Sequence, residues 1–330
     1  MKVTIVDIAN KLNITPSTVS RALANNERVS AKTRELVKKT AIEMGYQPNQ
    51  MASALRKGTS DTIGMVVPRI NRHFFSNVIC GVEEILNMAG FNLTILQSSE
   101  SLKKERMAID TLRKSRVGGI IISLSVETDE YMHLQEINQQ IPLVQFDRVC
   151  EDLPGPKLIN DNYQGALEAT QLLLKGGYKR FVHLAGNDCN IVYQERKRGF
   201  LDALKHAKID ESNILVIESA LTREAGIHAI NNLWKQQSFD AIFCAGDYAA
   251  LGAIEALKKL DIKIPEQVGV VGFANEPFAE LMTPALSSVE QYGEEMGRKA
   301  AQAILNKIKD KTLDYKEVVP VHLISRQSTK

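Results

Sequence analysis

From residue 62 onward the sequence alternates between short, almost wholly apolar runs and longer stretches with helical spacing, and no other feature limits the fold so strongly. The runs are TIGMVVPRI, FNLTILQSS, VGGIIIS, IPLVQFDR, RFVHLAG, ILVIES, DAIFCAG and VGVVGFAN. A strand that is apolar on both faces is buried on both, which is the condition of a parallel strand covered by helices. The intervening segments supply those covers, so the chain reads as α/β. Eight such runs are too many for one ordinary sheet and predict two doubly wound α/β subdomains. Ligands in sheets of this kind lie at the carboxyl ends of the strands.

The first 48 residues follow a different pattern. Thr4-Ile5-Val6-Asp7 is a capping box with Asp in place of the usual Glu, and Ile5, Ile8, Ala9 and Leu12 keep helical spacing. Asn13-Ile14 makes a tight turn, Thr15 caps and Pro16 starts a second helix to about Ala24. Ser30 caps a third, Ala31 to Met44, with Leu36, Val37, Thr40, Ala41 and Met44 on one face, and Gly45 ends it. This is a helix-turn-helix, whose second helix enters the major groove. Around the anchors Val19 and Leu23 that helix carries Ser17, Thr18, Ser20 and Arg21. Hydroxyls bind phosphates and an arginine reads guanine through two hydrogen bonds. Residues 1–60 hold ten Lys and Arg against four acids, a net of +6 within a chain whose total is +2. A basic head on a mildly acidic body fits either a polyanionic partner or simply a solvated, charged helical surface.

The stretch NQMASALRKG, residues 49–58, is about two helical turns long, from a capping Asn49 to a terminating Gly58. Alone in water so short a helix is marginal. It reads either as a linker or as a segment that folds on DNA. In the second reading the small Ala52, Ser53 and Ala54 pair with a partner's copy, and Leu55 wedges into a minor-groove step.

VDIANKLNITPSTVSRAL, RVSAKTRELV, MGYQPNQMASALRKG and the layout beyond them resemble the lactose/galactose repressor (LacI/GalR) family of bacterial transcription regulators over the whole chain. The resemblance implies a type I periplasmic-binding-protein-like body with a cleft between its subdomains. It implies that Pro16, Ser17 and Arg21 face bases, and that Thr4, Thr18, Ser20, Ser30, Thr33 and Tyr46 hold phosphates or orient the domain. Asn49 and Leu55 serve the hinge helix; Arg28, Ala52 and Arg56 complete the DNA-binding set. Ala24 departs from relatives that carry Asn there. The expected organisation is a DNA-binding domain at 1–48, hinge helix and linker at 49–60, and an effector-binding and dimerisation body at 61–330. Within the body, one subdomain takes about 61–160 with 290–318, and the other about 161–289 with 319–330.

Strand-end polar residues are the candidates for the cleft. Phe74 and Phe75 follow the first run, Asp147 and Arg148 end VQFDR, and Asp161 ends KLIND. Arg196 lies in ERKRGF, and Asp247 ends CAGD. In the family, positions matching Phe74, Phe75, Asp147, Arg196 and 274 commonly touch the effector. Carboxylates and guanidinium groups offer paired acceptors or donors to sugar hydroxyls. Capping alone explains Asp161 and Asp247, which stand where helices begin. In GFANEPF the family's frequent Asp is replaced by Ala274, so Asn275 or Glu276 takes its place or the effector lacks that donor.

Four cysteines lie far apart without a C-x-x-C pair, the six histidines lack ligand spacing, and no metal site or cofactor is expected. Nucleotide-binding, serine-hydrolase and zinc-protease motifs are missing, which argues against an enzyme. With neither a signal-peptide h-region nor a membrane-spanning run, a cytoplasmic protein is expected. Its expected partners are a pseudo-palindromic double-stranded operator, a small-molecule effector (a sugar or sugar acid) and a second copy of the chain. A sugar-binding protein, or a regulator answering to a non-sugar ligand or a protein, is the competing reading.

Overall fold

The computed structural model describes residues 3–23, 25–46 and 60–330, which fall into two compact units, Met1–Ser60 and Asp61–Lys330. Asn49, Ala52, Leu55 and Arg56, and with them the expected hinge helix, lie outside the described residues, as does Ala24.

The first unit contains α1 (Ile5–Leu12), α2 (Pro16–Leu23) and α3 (Ala31–Glu43). Thr4 and Asp7 form the reciprocal cap: Asp7 N donates to Thr4 Oγ1 at 3.4 Å and Thr4 N to the Asp7 carboxylate at 2.8 Å. Asn13, at φ 52°, ends α1 in the left-handed conformation that Asn tolerates. Thr15 Oγ1 accepts from Thr18 N at 3.3 Å, and Ser30 caps α3 by accepting from Thr33 N at 3.2 Å. Ile8, Ala9, Val19, Ala22, Val29, Val37 and Ala41 make the core. Two sequence expectations are corrected. Ala22 rather than Leu23 is the second fully buried anchor of α2, and Leu36 is 52% exposed. The inward stripe of α3 is Val37, Thr40, Ala41 and Met44, and Leu36 lies one residue's rotation off it.

In the second unit, the described residues run β1 (Thr62–Val67), α4 (His73–Met88), β2 (Asn92–Gln97), α5 (Leu102–Lys114), β3 (Gly119–Ile122), α6 (Met132–Asn138), β4 (Leu143–Phe146) and β5 (Lys157–Asn160). Next come α7 (Asn162–Lys175), β6 (Phe181–Ala185), α8 (Ile191–His206), β7 (Ile214–Glu218), α9 (Arg223–Leu233), β8 (Ala241–Cys244), α10 (Asp247–Lys259) and β9 (Gly269–Val271). The chain closes with α11 (Phe278–Leu281), β10 (Ser288–Glu290), α12 (Gly293–Lys309), β11 (Lys316–Val319) and β12 (His322–Ile324). Parallel strands in the order β2-β1-β3-β4-β5-β11 form the sheet of one lobe. The order β7-β6-β8-β9 forms that of the other, with an antiparallel β10–β12 pair beside it. The apolar runs are these strands, and β1, β3, β4, β6, β8 and β9 are almost entirely buried.

VGVVGFAN gives a shorter strand than its apolar character suggests, because the chain leaves the sheet after Val271. Ala274 and Asn275 then adopt φ 124° and 48°. The terminal VVPVHLIS is divided: β11 joins the first lobe and β12 the second. Among the described residues the chain thus passes between lobes at 161, at 291–292 and at 320–321. The buried Asn160 side chain ties these passages together. Its Nδ2 donates to Gln291 O at 2.9 Å and Val319 O at 3.4 Å, and its Oδ1 accepts from Gln291 Nε2 at 3.2 Å. In the first lobe α12 lies directly on α4. A Cβ added at Gly81 would sit on the Glu294 carbonyl, and one at Gly297 on that of Val78, so only glycine permits this approach. Among the described residues no helix is long and apolar enough to cross a membrane.

Candidate functional site

In the head, Pro16, Ser17 and Arg21 are exposed on α2, and Thr18 and Ser20 are partly covered. The Thr15 hydroxyl lies 2.9 Å from both Ser17 Oγ and Thr18 Oγ1, a cluster held at the start of the helix where an anion would approach. Ser30 and Thr33 also pair, at 2.8 Å, at the start of α3. Arg28 is exposed in the turn before α3. Tyr46 packs against the head core, which leaves its ring a supporting part in the domain. Exposed basic and hydroxyl groups at two helix N-termini form a surface suited to a phosphate backbone.

In the body, the carboxyl ends of both sheets face a cavity of about 550 Å³. Phe74, Phe75, Asp147, Arg148, Arg196, Asp247, Ala274 and Glu276 all line it. Phe74 and Phe75 meet edge to face at 5.3 Å and also belong to the first lobe's core, so they pack the lobe as well as line the cavity. Asp147, in the left-handed region at φ 59°, accepts from Ser123 Oγ at 3.3 Å. Burial raises its carboxyl pKa above the usual range, against the opposing pull of Arg148 and Arg196.

Arg148 is engaged on both sides. Its Nη1 meets Glu100 at 2.6 Å and its Nη2 donates to Tyr193 Oη, across the lobes, at 3.1 Å. Burial works against its charge, but Tyr193, Glu100 and Asp147 more than offset it and raise its pKa. Arg196 is buried, not solvated. Its Nε donates to Asn162 Oδ1 at 2.9 Å, its Nη1 to Ala245 O at 2.7 Å, and the guanidinium lies 3.6 Å above the Phe273 ring. Burial lowers its pKa to about 10, which leaves it charged at neutral pH.

Three expectations are corrected. Asp161 leaves the cleft set: it caps α7, as its position at a helix start suggested, accepting from Gln164 N at 3.0 Å, and lines a separate cavity of about 280 Å³. Asp247 does not cap α10, because Gly246 holds the cap position. Its carboxylate accepts instead from Ser288 Oγ at 2.6 Å and Glu276 N at 2.8 Å, and burial pushes its pKa up to about 6. Asn275 is absent from the lining: its side chain bonds Glu290 and Arg326 at 2.8 Å each. Glu276 remains at the cavity, its pKa raised mainly by burial, and accepts from His73 N at 3.4 Å.

Sequence reasoning missed Tyr193, Glu100, Arg72 and Tyr248, all of which line the cavity. Tyr193 lies one helical turn before Arg196, a spacing that marks a shared face. Arg72 stacks on Tyr248, its Cζ 3.7 Å from the ring centre, and joins one lobe to the other. Among the described residues no three His, Cys, Asp or Glu side chains are grouped to hold a metal ion.

Comparison with known proteins gives a consistent result. Residues 4–49 match the pattern of bacterial regulatory proteins of the lacI family, and residues 60–327 that of periplasmic binding proteins and the sugar binding domain of the LacI family. The HTH-type transcriptional repressor PurR of Vibrio vulnificus (strain CMCP6) is 31% identical, over 99% of this chain and 98% of its own. The crystal structure of the lac repressor dimer bound to operator and the anti-inducer ONPF superposes with a TM-score of 0.89 at 22% identity, over 100% of this chain and 99% of that one. The transcriptional regulator CelR–cellobiose complex superposes with a TM-score of 0.74 at 28% identity, over 99% and 100%.

Proposed function

The chain belongs to the LacI family of bacterial regulatory proteins, and on that premise we propose that it represses carbohydrate-use genes under the control of a neutral, hydroxyl-rich effector bound in the body cavity. As a member it is a DNA-binding transcriptional regulator, and its relatives are repressors rather than enzymes.

The observation that supports the effector class is the state of the guanidinium groups. Arg148 and, at 3.6 Å, Arg69 both pair with Glu100, and Arg72 stacks on Tyr248. At Arg148 and Arg69 an incoming phosphate or carboxylate would have to displace Glu100 or share its cations. A neutral sugar needs neither. It finds an acceptor in Asp147 and a donor edge in Arg196, and an apolar platform in Phe74 and Phe75. The CelR structure, of a protein bound to cellobiose, is a relative's precedent for the same choice.

For the head, the reading is that α2 enters the major groove with Arg21 at a base edge, that residues 1–48 are the reading domain, and that 49–60 connect it to a body spanning 61–330. Two copies on a pseudo-palindromic operator fit the edge strand β2, whose outer side is unpaired among the described residues and where Ile95 is 38% exposed. The cytoplasm is the compartment in which such a regulator meets DNA.

The effector reading is tested by thermal melting of the full chain with D-ribose, D-glucose, cellobiose, D-gluconate, glucose 6-phosphate and hypoxanthine. A neutral sugar at one hundred times its Kd should stabilise the body by about 2.7 kcal/mol, and Arg196→Ala should remove the shift. Stabilisation only by an anion or by hypoxanthine would overturn the class assigned here.

A further inference from the structure

Asn275 lies in the chain between two residues of the cavity lining, Ala274 and Glu276, but is not itself part of the lining, and its side chain bonds elsewhere. Its Nδ2 donates to Glu290 Oε2 at 2.8 Å. The other oxygen of Glu290 accepts the backbone N–H of both Gln291 and Tyr292, each at 2.8 Å, and these two residues form the second passage between the lobes. Asn275 Oδ1 accepts from Nη2 of Arg326, which lies beyond the third passage and also donates from Nη1 to Leu286 O at 2.7 Å. The Asn275 N–H donates to Ser288 Oγ at 3.0 Å, and that hydroxyl donates to Asp247. Ala274, at φ 124°, is held in a conformation that L-residues rarely adopt.

We propose that Asn275 is a positioning residue: with Glu290 it links the cavity wall at 274–276 to the passage at 291–292, so that the two shift together. The chemistry supports a stiff link. One carboxylate takes three hydrogen bonds, two from the passage and one from the wall, and a charged acceptor makes stronger bonds than a neutral one. Gln291 carries the shift onward, because Asn160 bonds it to the first passage and reaches the third. This role rests on the effector reading above, since the wall is where a ligand would press.

The test needs no ligand. Amide hydrogen exchange of the full chain is followed by mass spectrometry on peptides covering 289–293, in the parent, Ala274→Gly, Asn275→Asp and the double variant. Glycine relaxes the wall without touching the passage. With the link intact, the strain released by Ala274→Gly should slow exchange at Gln291 and Tyr292 by at least about threefold, and in the Asn275→Asp background it should change nothing. Asn275→Ser takes the place of Asn275→Asp if the latter does not fold. A merely structural Asn275 would instead raise exchange in proportion across β6 and β8 as well. Unchanged exchange at 289–293 in Ala274→Gly, or the same change with and without Asn275, would overturn the link. A failed sugar panel leaves this outcome untouched, and a failed link leaves the sugar reading standing.

Discussion

Two buried groups in the second lobe should oppose each other as pH changes, and single substitutions should unmask them. His183 on β6 is stacked between Phe200 and Phe243, with ring centres 4.9 and 4.7 Å away. Its Nδ1 lies 3.0 Å from Phe243 O, and among the described residues its Nε2 has no partner. Burial lowers its pKa from 6.5 to about 4. Between those values the unfolded chain holds the extra proton, so this group's stability contribution is full above pH 6.5 and lost as pH falls to about 4. Asp247 runs the other way, because burial raises it from 3.8 to about 6. Its contribution is full below 3.8 and lost as pH rises through 6. At 1.36 kcal/mol per pKa unit each amounts to about 3 kcal/mol, and in the parent the two nearly cancel. His183→Phe should therefore lose about 3 kcal/mol of stability between pH 4 and 6 relative to the parent, and Asp247→Asn should gain about as much between pH 4 and 6.5. The chain's one tryptophan, Trp234, packs edge to face on Phe239 at 5.3 Å in this lobe, so its fluorescence reports urea unfolding there. With typical urea slopes the midpoint should move by on the order of 1 M or more. Taking each variant as a difference from the parent removes the titration of the shared surface carboxylates. Difference curves of the same sign for both variants, or flat ones, would refute the reasoning.

Three further outcomes are expected. Arg21→Ala should weaken binding to an operator selected from random duplexes by about 1–3 kcal/mol per half-site and relax preference at one base pair; equal weakening on all sequences would make Arg21 a phosphate contact. Gly81→Ala forces a methyl group onto the Glu294 carbonyl and should lower stability by about 1–3 kcal/mol or more, read as a drop in Tm; an unchanged Tm would mean that α4 and α12 are not closely packed. Arg148→Met strips Glu100 of its nearest cation and should destabilise by about 3 kcal/mol, the low end for a buried pair because Arg69 stays 3.6 Å away. Adding Glu100→Gln should restore most of that, and no recovery would show that Arg148 acts through packing alone.

The periodicity of the sequence carried the architecture because burial on both faces leaves an almost continuous apolar trace, as in β3 and β8. Where it misled, a local bond had overridden the pattern. Val271 is followed by apolar residues that leave the sheet, since Ala274 N donates to Val289 O and Asn275 N to Ser288 Oγ. Strand-end chemistry located Asp147, Arg148 and Arg196, but it could not tell which carboxylates face inward. Asp161 and Asp247 both begin helices, yet one caps its helix and the other bonds Ser288, 41 residues away. Glu100 and Tyr248 carried no local signal, because their partners Arg148 and Arg72 come from distant segments.

The passages between the lobes also set an order of assembly. Nearly all of the second lobe is one contiguous stretch, whereas the first lobe closes only when α12 and β11, at the far end of the chain, come back to α4 and β5. As the chain emerges during synthesis, β1 to β5 wait with α4 uncovered and the outer side of β5 unpaired, and in the second lobe β6 to β9 already have their strand neighbours while β10 still waits for β12. Both lobes are therefore completed only at the end of the chain, the first by α12 and β11 and the second by β12, and a chain interrupted before residue 293 leaves the β5 edge of the first sheet open to other chains.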